Sequence, residues 1–174
     1  MIADADIRTK SLALIVVDIQ NKYAQGAMAE PVAGMLPTVN DAIGMFRDAG
    51  RPVFFIRMTT RSACVPEDME DPDGFVEGLD FREGDPVVPK SEMNAFHGTG
   101  LGEMLRSRGC DGAVICGLVS RWCVHATYFG AYDEDVCPYI LRGGIAGADP
   151  ENTRMVEALC KTVGPEEILS SRGF

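Results

Sequence analysis

Three side chains with complementary chemistry stand far apart in the sequence: Asp18, Lys90 and Cys123. A cysteine thiol becomes a strong nucleophile only when it loses its proton. Asp18 could accept that proton, and Lys90 could hold the resulting charge pair and keep Asp18 ionised. Together the three residues would form an activated nucleophile with a base and an orienting cation.

Each of these residues also has an ordinary structural interpretation. Asp18 could cap the segment after its strand, and Lys90 could be an exposed lysine. Cys123 could be a small buried apolar side chain, as most free cysteines are. Their common placement near predicted strand ends favours the catalytic interpretation, and a first helical turn around Cys123 would favour its thiolate.

A cysteine–histidine pair is the main alternative, and the chain has two histidines, His97 and His125. His125 is two residues from Cys123, and such positions point to nearly opposite sides of a helix. His97 falls in a loop near Lys90, and nothing in the sequence directs it toward the cysteine. The sequence therefore favours aspartate over histidine as the base.

Apolar runs bounded by turn residues predict strands that alternate with helices. The first run is continuously apolar, which is typical of a strand covered on both faces. The predicted strands are residues 12–17, 52–56, 87–88, 113–117, 136–141 and 167–170. The predicted helices are residues 37–50, 99–109, 121–132 and 155–163. Pro138 suggests that the fifth strand lies at an edge of the sheet.

This alternation predicts an α/β fold: a three-layer, doubly wound, mostly parallel six-stranded sheet with helices on both faces. The 174 residues fit a single domain, 1–174. Ligands in such folds bind beyond the carboxyl ends of the strands. The irregular stretch at residues 59–86 is long enough to be functional, and its Phe75 and Phe81 could form a lid or attach it to the body.

The composition is ordinary for a soluble globular domain, with 46% hydrophobic and 24% charged residues and a formal net charge of −10. Such an acidic chain repels phosphate backbones and anionic lipids, so we expect no nucleic-acid partner and no membrane partner. The apolar run near the N-terminus is too short to span a bilayer, and no signal-peptide pattern is present. A cytoplasmic location is therefore expected.

Six cysteines, none of them in a C-x-x-C pair, are expected to be reduced and mostly buried thiols. A thiol redox protein, with Cys123 as the sensor and Cys116 as the resolving thiol, is an alternative. A disulfide between them would need Cα atoms within about 7 Å of each other. Cys116 lies in a predicted strand and is expected to point into the sheet face, which disfavours this function.

Three segments of the chain carry a family resemblance. They are D-I-Q-N-K-Y at residues 18–23, Pro89-Lys90 with residues 94–96 and 99–101, and G-L-V-S-R-W-C-V-H-A-T at residues 117–127. In order and spacing, over nearly the whole chain, they resemble the signature segments of the isochorismatase-like cysteine hydrolases, which have a Rossmann-like fold. That family includes nicotinamidases, N-carbamoylsarcosine amidohydrolases, ureidoacrylate amidohydrolases and isochorismatases.

The resemblance implies a catalytic triad of Asp18, Lys90 and Cys123 and a cis peptide bond between Leu118 and Val119. It also implies an oxyanion hole formed by the backbone amides of Val119 and Cys123. The implied function is hydrolysis of a C–N bond in a small amide, carbamoyl or ureido substrate through a thioester acyl-enzyme. The alternatives are an isochorismatase-like ether hydrolase and a catalytically silent binding member of the same fold.

Two comparisons within the family narrow these expectations. True isochorismatases generally lack the nucleophilic cysteine, so its presence favours C–N hydrolysis. Members that hold a metal use an Asp-x-His motif and further histidines after the second strand, whereas here no histidine precedes His97. The resemblance therefore implies no metal and no cofactor. The expected partners are a small-molecule substrate and other copies of the chain in a homo-oligomer.

One departure from the family pattern supports the silent-member alternative. After the fifth strand the family usually has an aspartate followed by a small residue, and the matching residue here is Arg142. For substrate binding, Tyr23 matches a position that lines the pocket in relatives, and Arg121 and Trp122 directly precede the nucleophile. Arg121 could pair with a substrate carboxylate and Trp122 could pack on an apolar group. Their structural alternatives are a surface arginine and a core tryptophan.

Overall fold

The computed structural model describes residues 6–60 and 65–174. The strands in these ranges are β1 (Leu12–Val17), β2 (Val53–Met58), β3 (Val87–Lys90), β4 (Gly112–Leu118), β5 (Cys137–Ala146) and β6 (Thr162–Val163). The helices are α1 (Ala29–Asp48), α2 (Leu101–Ser107), α3 (His125–Asp133), α4 (Pro150–Leu159) and α5 (Pro165–Leu169). All strand pairs are parallel, in the order β3-β2-β1-β4-β5-β6. The predicted α/β fold is confirmed.

Helices cover both faces of the sheet. Its central strands, β1 and β4, are therefore buried along their whole length. α1 and α5 pack on one face, in an apolar cluster that includes Phe46 and Ile168. α2, α3 and α4 pack on the other face around Leu105, Tyr128 and Val156. This arrangement leaves the carboxyl ends of the strands as the edge where loops can build a site.

The first helix begins earlier than predicted. The predicted start was Pro37, but α1 begins at Ala29 and contains this proline in its interior. Val32 and Met35 extend the buried face of the helix before the proline. Pro37 has no backbone N–H, so the carbonyl of Ala33 loses its helical hydrogen-bond donor. Both residues are exposed, so water can bind that carbonyl instead. The helix therefore continues through the proline.

The predicted edge position of the fifth strand is wrong, since β5 pairs with β4 on one side and β6 on the other. β6 has only two residues and pairs with Ile140 and Leu141. The Ile140 N–H donates to the Lys161 carbonyl on the β6 side. Pro138 lies two residues earlier, where its missing N–H would face the same side before β6 begins. Within the described ranges β6 pairs with β5 only from Ile140 onward, so the missing N–H of Pro138 costs no hydrogen bond between these two strands.

Three further elements differ from their predictions. The helix predicted at residues 155–163 is α4, Pro150–Leu159, and the last residues of the predicted range belong to β6. The sixth strand is Thr162–Val163, and α5 occupies most of the predicted strand at residues 167–170. Pro165 at the first helical position favours this helix start. The predicted helix at residues 121–132 is divided, because Ser120–Val124 forms a π-helical turn before α3.

Two phenylalanines of the long stretch between β2 and β3 pack against the sheet. Phe75 and Phe81 lie against Phe55 of β2, with ring centroids 5.7 and 5.1 Å apart, and 4.7 Å from each other. Of the two interpretations of these phenylalanines, the contacts support attachment to the body. No helix in the two described ranges is long and apolar enough to cross a membrane.

Gly117 of β4 has no room for a side chain beside β1, next to the residue that precedes Asp18. Its φ of +113° is a conformation that residues with a side chain rarely adopt. A Cβ at this position would lie 2.1 Å from the Val17 carbonyl oxygen. We expect Gly117→Ala to lower the free energy of unfolding by at least about 2 kcal/mol, because two central strands would have to move apart.

Chemical denaturation would measure this effect, with Gly44→Ala as the matched control. Gly44 lies within α1, and a Cβ there would have no atom within 4 Å. Alanine at this helical position should stabilise the protein by up to about 1 kcal/mol. If Gly117→Ala were as stable as Gly44→Ala, the close approach of the two strands would be refuted.

Candidate active site

The carboxyl ends of β1 and β3 hold a buried ion pair. Asp18 directly follows β1, Lys90 is the last residue of β3, and β2 lies between these strands. Lys90 Nζ lies 2.8 Å from Asp18 Oδ2. Asp18 is 1% exposed and Lys90 3% exposed. The structure therefore brings together two of the three residues predicted to act in chemistry.

The loop after β3 holds the Lys90 ammonium in place. Its Nζ donates hydrogen bonds to the carbonyl oxygens of Glu92 and Met93, at 2.9 and 3.1 Å. The backbone N–H of Ala95 donates to Thr127 Oγ1 in α3 at 3.0 Å. This loop is therefore attached to α3, the helix that follows the cysteine-bearing turn.

Cys123 lies in the π-helical turn between β4 and α3 and is 9% exposed. Burial, together with the charge of Asp18, raises the pKa of the thiol to about 12, and Lys90 opposes this only in part. Burial thus opposes the thiolate that the helical turn was expected to favour. The thiol needs a base when it reacts.

Asp18 has the properties of such a base. Burial raises the pKa of its carboxyl, while the charge of Lys90, the contact with Cys123 and the charge of Lys22 act in the opposite direction. Within the described ranges, neither carboxylate oxygen has a hydrogen bond of regular geometry. The ion pair with Lys90 therefore leaves lone pairs that can accept the thiol proton.

The backbone before Cys123 is shaped by two features. The Leu118–Val119 peptide bond is cis, as the resemblance implies. The Val119 carbonyl accepts hydrogen bonds from the amides of Trp122 and Val124, at 2.9 and 3.4 Å. Among residues 6–60 and 65–174, the Val119 N–H itself has no hydrogen-bond partner. This amide is free to bind a ligand atom.

Tyr23 lies beside the ion pair, half-buried between the two apolar clusters of the protein. Burial raises the pKa of its phenol, and the charges of Asp18 and Cys123 raise it further. The Lys22 ammonium lies 5.4 Å from its ring centroid. Tyr23 thus lies among the predicted catalytic residues, and its contact with substrate stays a prediction.

Arg121 and Trp122 lie at the surface of the cysteine-bearing turn. Arg121 Cζ is 4.9 Å from the Trp122 ring centroid, and Trp122 is 50% exposed, so its interpretation as a core residue is wrong. Both residues border a cavity of about 440 Å³ that Val119 also lines. The lining of this cavity includes none of Asp18, Lys90 and Cys123, so the roles of Arg121 and Trp122 in substrate binding stay predictions.

The alternative partners of Cys123 lie elsewhere. Cys116 belongs to the apolar cluster on the α1 face of the sheet, whereas Cys123 belongs to the cluster on the opposite face. His97 is exposed, and His125 packs against Phe129 with ring centroids 5.0 Å apart. Neither a cysteine pair nor a cysteine–histidine pair is therefore supported.

Arg142 lies inside β5 and has a structural environment. Its Nη2 donates to the Thr162 carbonyl of β6 at 3.2 Å. The N–H of the next residue, Gly143, donates to Glu157 Oε1 of α4 at 2.8 Å. At the position that departs from the family pattern, Arg142 and Gly143 therefore bind β6 and α4.

Two buried polar residues near Asp18 are missing from the sequence prediction. Gln20 Oε1 accepts from the Met58 N–H at 2.8 Å, and its Nε2 donates to the Met58 and Asp73 carbonyls, both at 3.1 Å. Lys22 Nζ donates to the Met58 carbonyl at 2.7 Å and to Asp73 Oδ1 at 2.5 Å. Their spacing of two and four residues after Asp18, at the same strand end, was the available signal.

Comparison with known proteins identifies the family. Residues 12–162 match the family model described as the isochorismatase domain. This match covers most of the chain, so the protein belongs to the isochorismatase family. The family that the three sequence segments suggested is confirmed.

Individual relatives are hydrolases by name. Streptothricin hydrolase from Streptomyces noursei is 33% identical over 118 residues, which are 66% of this chain but 42% of that protein, so this chain spans less than half of it. Ureidoacrylate amidohydrolase RutB from Klebsiella pneumoniae is 27% identical over 168 residues, covering 71% of each. The crystal structure of N-carbamoylsarcosine amidase from Thermoplasma acidophilum covers 88% of this chain and 95% of its own, with a TM-score of 0.74 and 23% identity. That likeness shows a shared fold.

Proposed function

We propose that this protein is a cysteine amidohydrolase that cleaves the C–N bond of a small, non-peptide amide, carbamoyl or ureido compound. The observation that carries the proposal is the buried Asp18, ion-paired with Lys90 and in contact with the Cys123 thiol. The named activities of the amidohydrolase relatives support the same class of reaction.

The first half-reaction forms a thioester. Asp18 accepts the thiol proton as Cys123 Sγ attacks the substrate carbonyl carbon, and Lys90 keeps the carboxylate ionised until that moment. The backbone amides of Val119 and Cys123 bind the oxyanion of the tetrahedral intermediate. Protonated Asp18 then gives its proton to the leaving nitrogen, which departs as ammonia or an amine.

The second half-reaction releases the acid. Asp18, ionised again, takes a proton from water, and the resulting hydroxide attacks the thioester carbonyl. The carbon–sulfur bond breaks, and the proton on Asp18 returns to the Cys123 sulfur. One water is consumed in each cycle, and no group beyond the chain's own residues is needed for the proton transfers.

Three residues are proposed to bind the substrate: Tyr23, Arg121 and Trp122. Arg121 lies beside the cavity that Val119 lines, so its guanidinium is suited to a substrate carboxylate. We expect Arg121→Ala to lower kcat/KM for carboxylated substrates by about tenfold or more, since a charge-assisted hydrogen bond is lost. Neutral amides serve as the internal control, and an equal loss for both substrate types would refute the carboxylate contact.

A screen for ammonia release tests the proposed function itself. The panel contains simple amides, carbamoyl compounds and ureido acids, with vinyl ethers as the competing class. Turnover of at least one C–N substrate, lost on alkylation of Cys123, is the expected result. Turnover of vinyl ethers alone, or of a C–N substrate without Cys123, would contradict the proposal.

The pH dependence of kcat/KM should follow the shared protons of Asp18 and Cys123. The pair is inactive when both groups are protonated, active after losing one proton, and inactive after losing the second. Since burial raises the pKa of Asp18, the acid limb should lie above the ordinary carboxyl range of about 4. The alkaline limb should lie far above neutrality, because the pKa of the thiol is raised to about 12. An acid limb at or below pH 4 would contradict this assignment.

A further inference from the structure

A buried lysine outside the three catalytic residues lies at the end of β2, the strand that separates the strands carrying Asp18 and Lys90. The Lys22 side chain is 1% exposed. Its Nζ donates to the carbonyls of Met58 and Thr60, at 2.7 and 3.2 Å, and to Asp73 Oδ1 at 2.5 Å. Lys22 thus binds the carbonyls at and just after the carboxyl end of β2.

The contacts of Lys22 continue to the catalytic lysine. Met58, the residue it binds, is paired in register with Lys90. The next residue, Thr59, donates both its backbone N–H and its Oγ1 to the Lys90 carbonyl, at 2.9 and 3.0 Å. On the other side, the Asp18 N–H donates to the Ile56 carbonyl of β2 at 3.1 Å. One strand end therefore connects the segment after Asp18 to Lys90.

The counter-ion of Lys22 is a solvent-exposed side chain. Asp73 is half-exposed and belongs to the long stretch before β3. It borders a cavity of about 230 Å³ together with Lys22 and Thr59. The Lys22 ammonium therefore binds the half-exposed carboxylate of Asp73 directly, whereas it acts on Asp18 through its charge alone.

We propose that Lys22 is a positioning residue for the reaction, which fixes the β2 end between Asp18 and Lys90 and adds a second positive charge behind Asp18. This inference rests on the proposed cysteine hydrolase function. Asp73 balances that charge from outside. The ionisable groups that face Asp18 are Lys90 from β3, Cys123 from the π-helical turn, and Lys22 and Tyr23 from the segment after β1.

The two charges should shift the titration of the Asp18–Cys123 pair in opposite directions. The charge of Lys22 lowers the pKa of Asp18. Removing it should raise the apparent pKa at which the pair loses its first proton. Removing the negative charge of Asp73 should lower that apparent pKa, because Lys22 would then act on Asp18 without a counter-ion. A purely structural role would shift neither.

The experiment is the rate of Cys123 alkylation by iodoacetamide as a function of pH, read by peptide mass mapping of the full-length protein. We expect Lys22→Met to move the midpoint of the acid limb up by about half a pH unit or more. Asp73→Asn should move it down, and Lys22→Arg should stay near wild type. Midpoints that are unchanged, or that move in the same direction in Lys22→Met and Asp73→Asn, would overturn the inference.

Two outcomes separate this inference from the proposed function. If Cys123 of the wild type reacts no faster than the buried Cys160, the proposed function fails. If it reacts faster but the midpoints do not move, only the role of Lys22 fails. Should circular dichroism show that Lys22→Met is unfolded, the midpoint of Asp73→Asn decides, because that side chain is half-exposed and its removal leaves the buried lysine in place.

Discussion

Replacing Cys123 by alanine is expected to reduce kcat/KM for the amide substrate by at least about 10⁴-fold. The account assigns thioester formation to the Cys123 thiol alone. Without this thiol, water would have to attack the substrate carbonyl directly. The fold should persist, because the change removes one sulfur atom from a side chain at the end of the apolar cluster. Steady-state ammonia release and thermal unfolding measure the two effects.

Cys160→Ala is the matched control for this variant. Cys160 is also buried, and burial raises the pKa of its thiol to about 11, but it lies at the end of α4. Its removal should leave kcat/KM within about twofold of wild type, since it takes no part in the reaction. Unchanged hydrolysis in Cys123→Ala, or an equal loss in both variants, would refute Cys123 as the nucleophile.

Replacing Asp18 by asparagine should lower kcat/KM by about 10³-fold or more, because the amide cannot accept the thiol proton. Asparagine has nearly the same shape, so the position of Lys90 should change little. The loss should appear in kcat, since both half-reactions pass through this carboxylate. Single-turnover measurements would show whether thioester formation is slowed, as the account requires.

The same substitution should not weaken the fold. Burial raises the pKa of Asp18 in the folded protein, so folding favours the protonated carboxyl. Stability from this group is complete below the unfolded pKa and is lost as pH rises through the folded pKa. At pH 7 the ionised carboxylate therefore costs stability, which asparagine avoids. We expect the Tm of Asp18→Asn to equal or exceed that of wild type at pH 7, with the difference shrinking toward pH 4.

Asp85→Asn provides the contrasting control. Asp85 accepts from Arg47 at 2.6 Å on the other side of the sheet, away from Cys123. Its replacement should leave kcat/KM unchanged and lower stability by about 1 kcal/mol, as for other partly exposed ion pairs. If Asp18→Asn lost more stability than Asp85→Asn, the ionised Asp18 carboxylate would not be destabilising the folded protein, and this prediction would be wrong.

The sequence is informative about the site because parallel strands end at one edge of the sheet. The run at residues 12–17 places Asp18 at that edge, and the short strand ending at Lys90 does the same. Alternation of strands and helices then determines the fold class. The placement of Asp18 and Lys90 at the same edge of the sheet could be predicted from these two facts, but their direct ion pair could not.

Features that depend on neighbours could not be predicted in the same way. Pro37 looked like a helix start because proline fits there, yet exposure of that helix face lets α1 continue through it. Pro138 looked like an edge residue, and only the shortness of β6 explains its central position. The raised pKa of Cys123 follows from burial, which the order of residues does not reveal.

The polar residues after Asp18 show the same limit. Gln20 and Lys22 are long side chains in a loop-like segment, where solvent exposure is the usual expectation. Both are buried because backbone carbonyls accept their hydrogen bonds: that of Met58 at the end of β2 and that of Asp73 in the stretch before β3. Their partners are 36 or more residues away in the sequence, so only the folded chain shows the contacts.

Rapid acid quenching during turnover, followed by intact mass and peptide mapping, tests the central claim most directly. The account predicts a mass increase equal to the acyl group of the substrate, located on Cys123 and absent from Cys123→Ala. An acyl group found on another residue would contradict it. So would steady turnover by Cys123→Ala at the wild-type rate with no adduct.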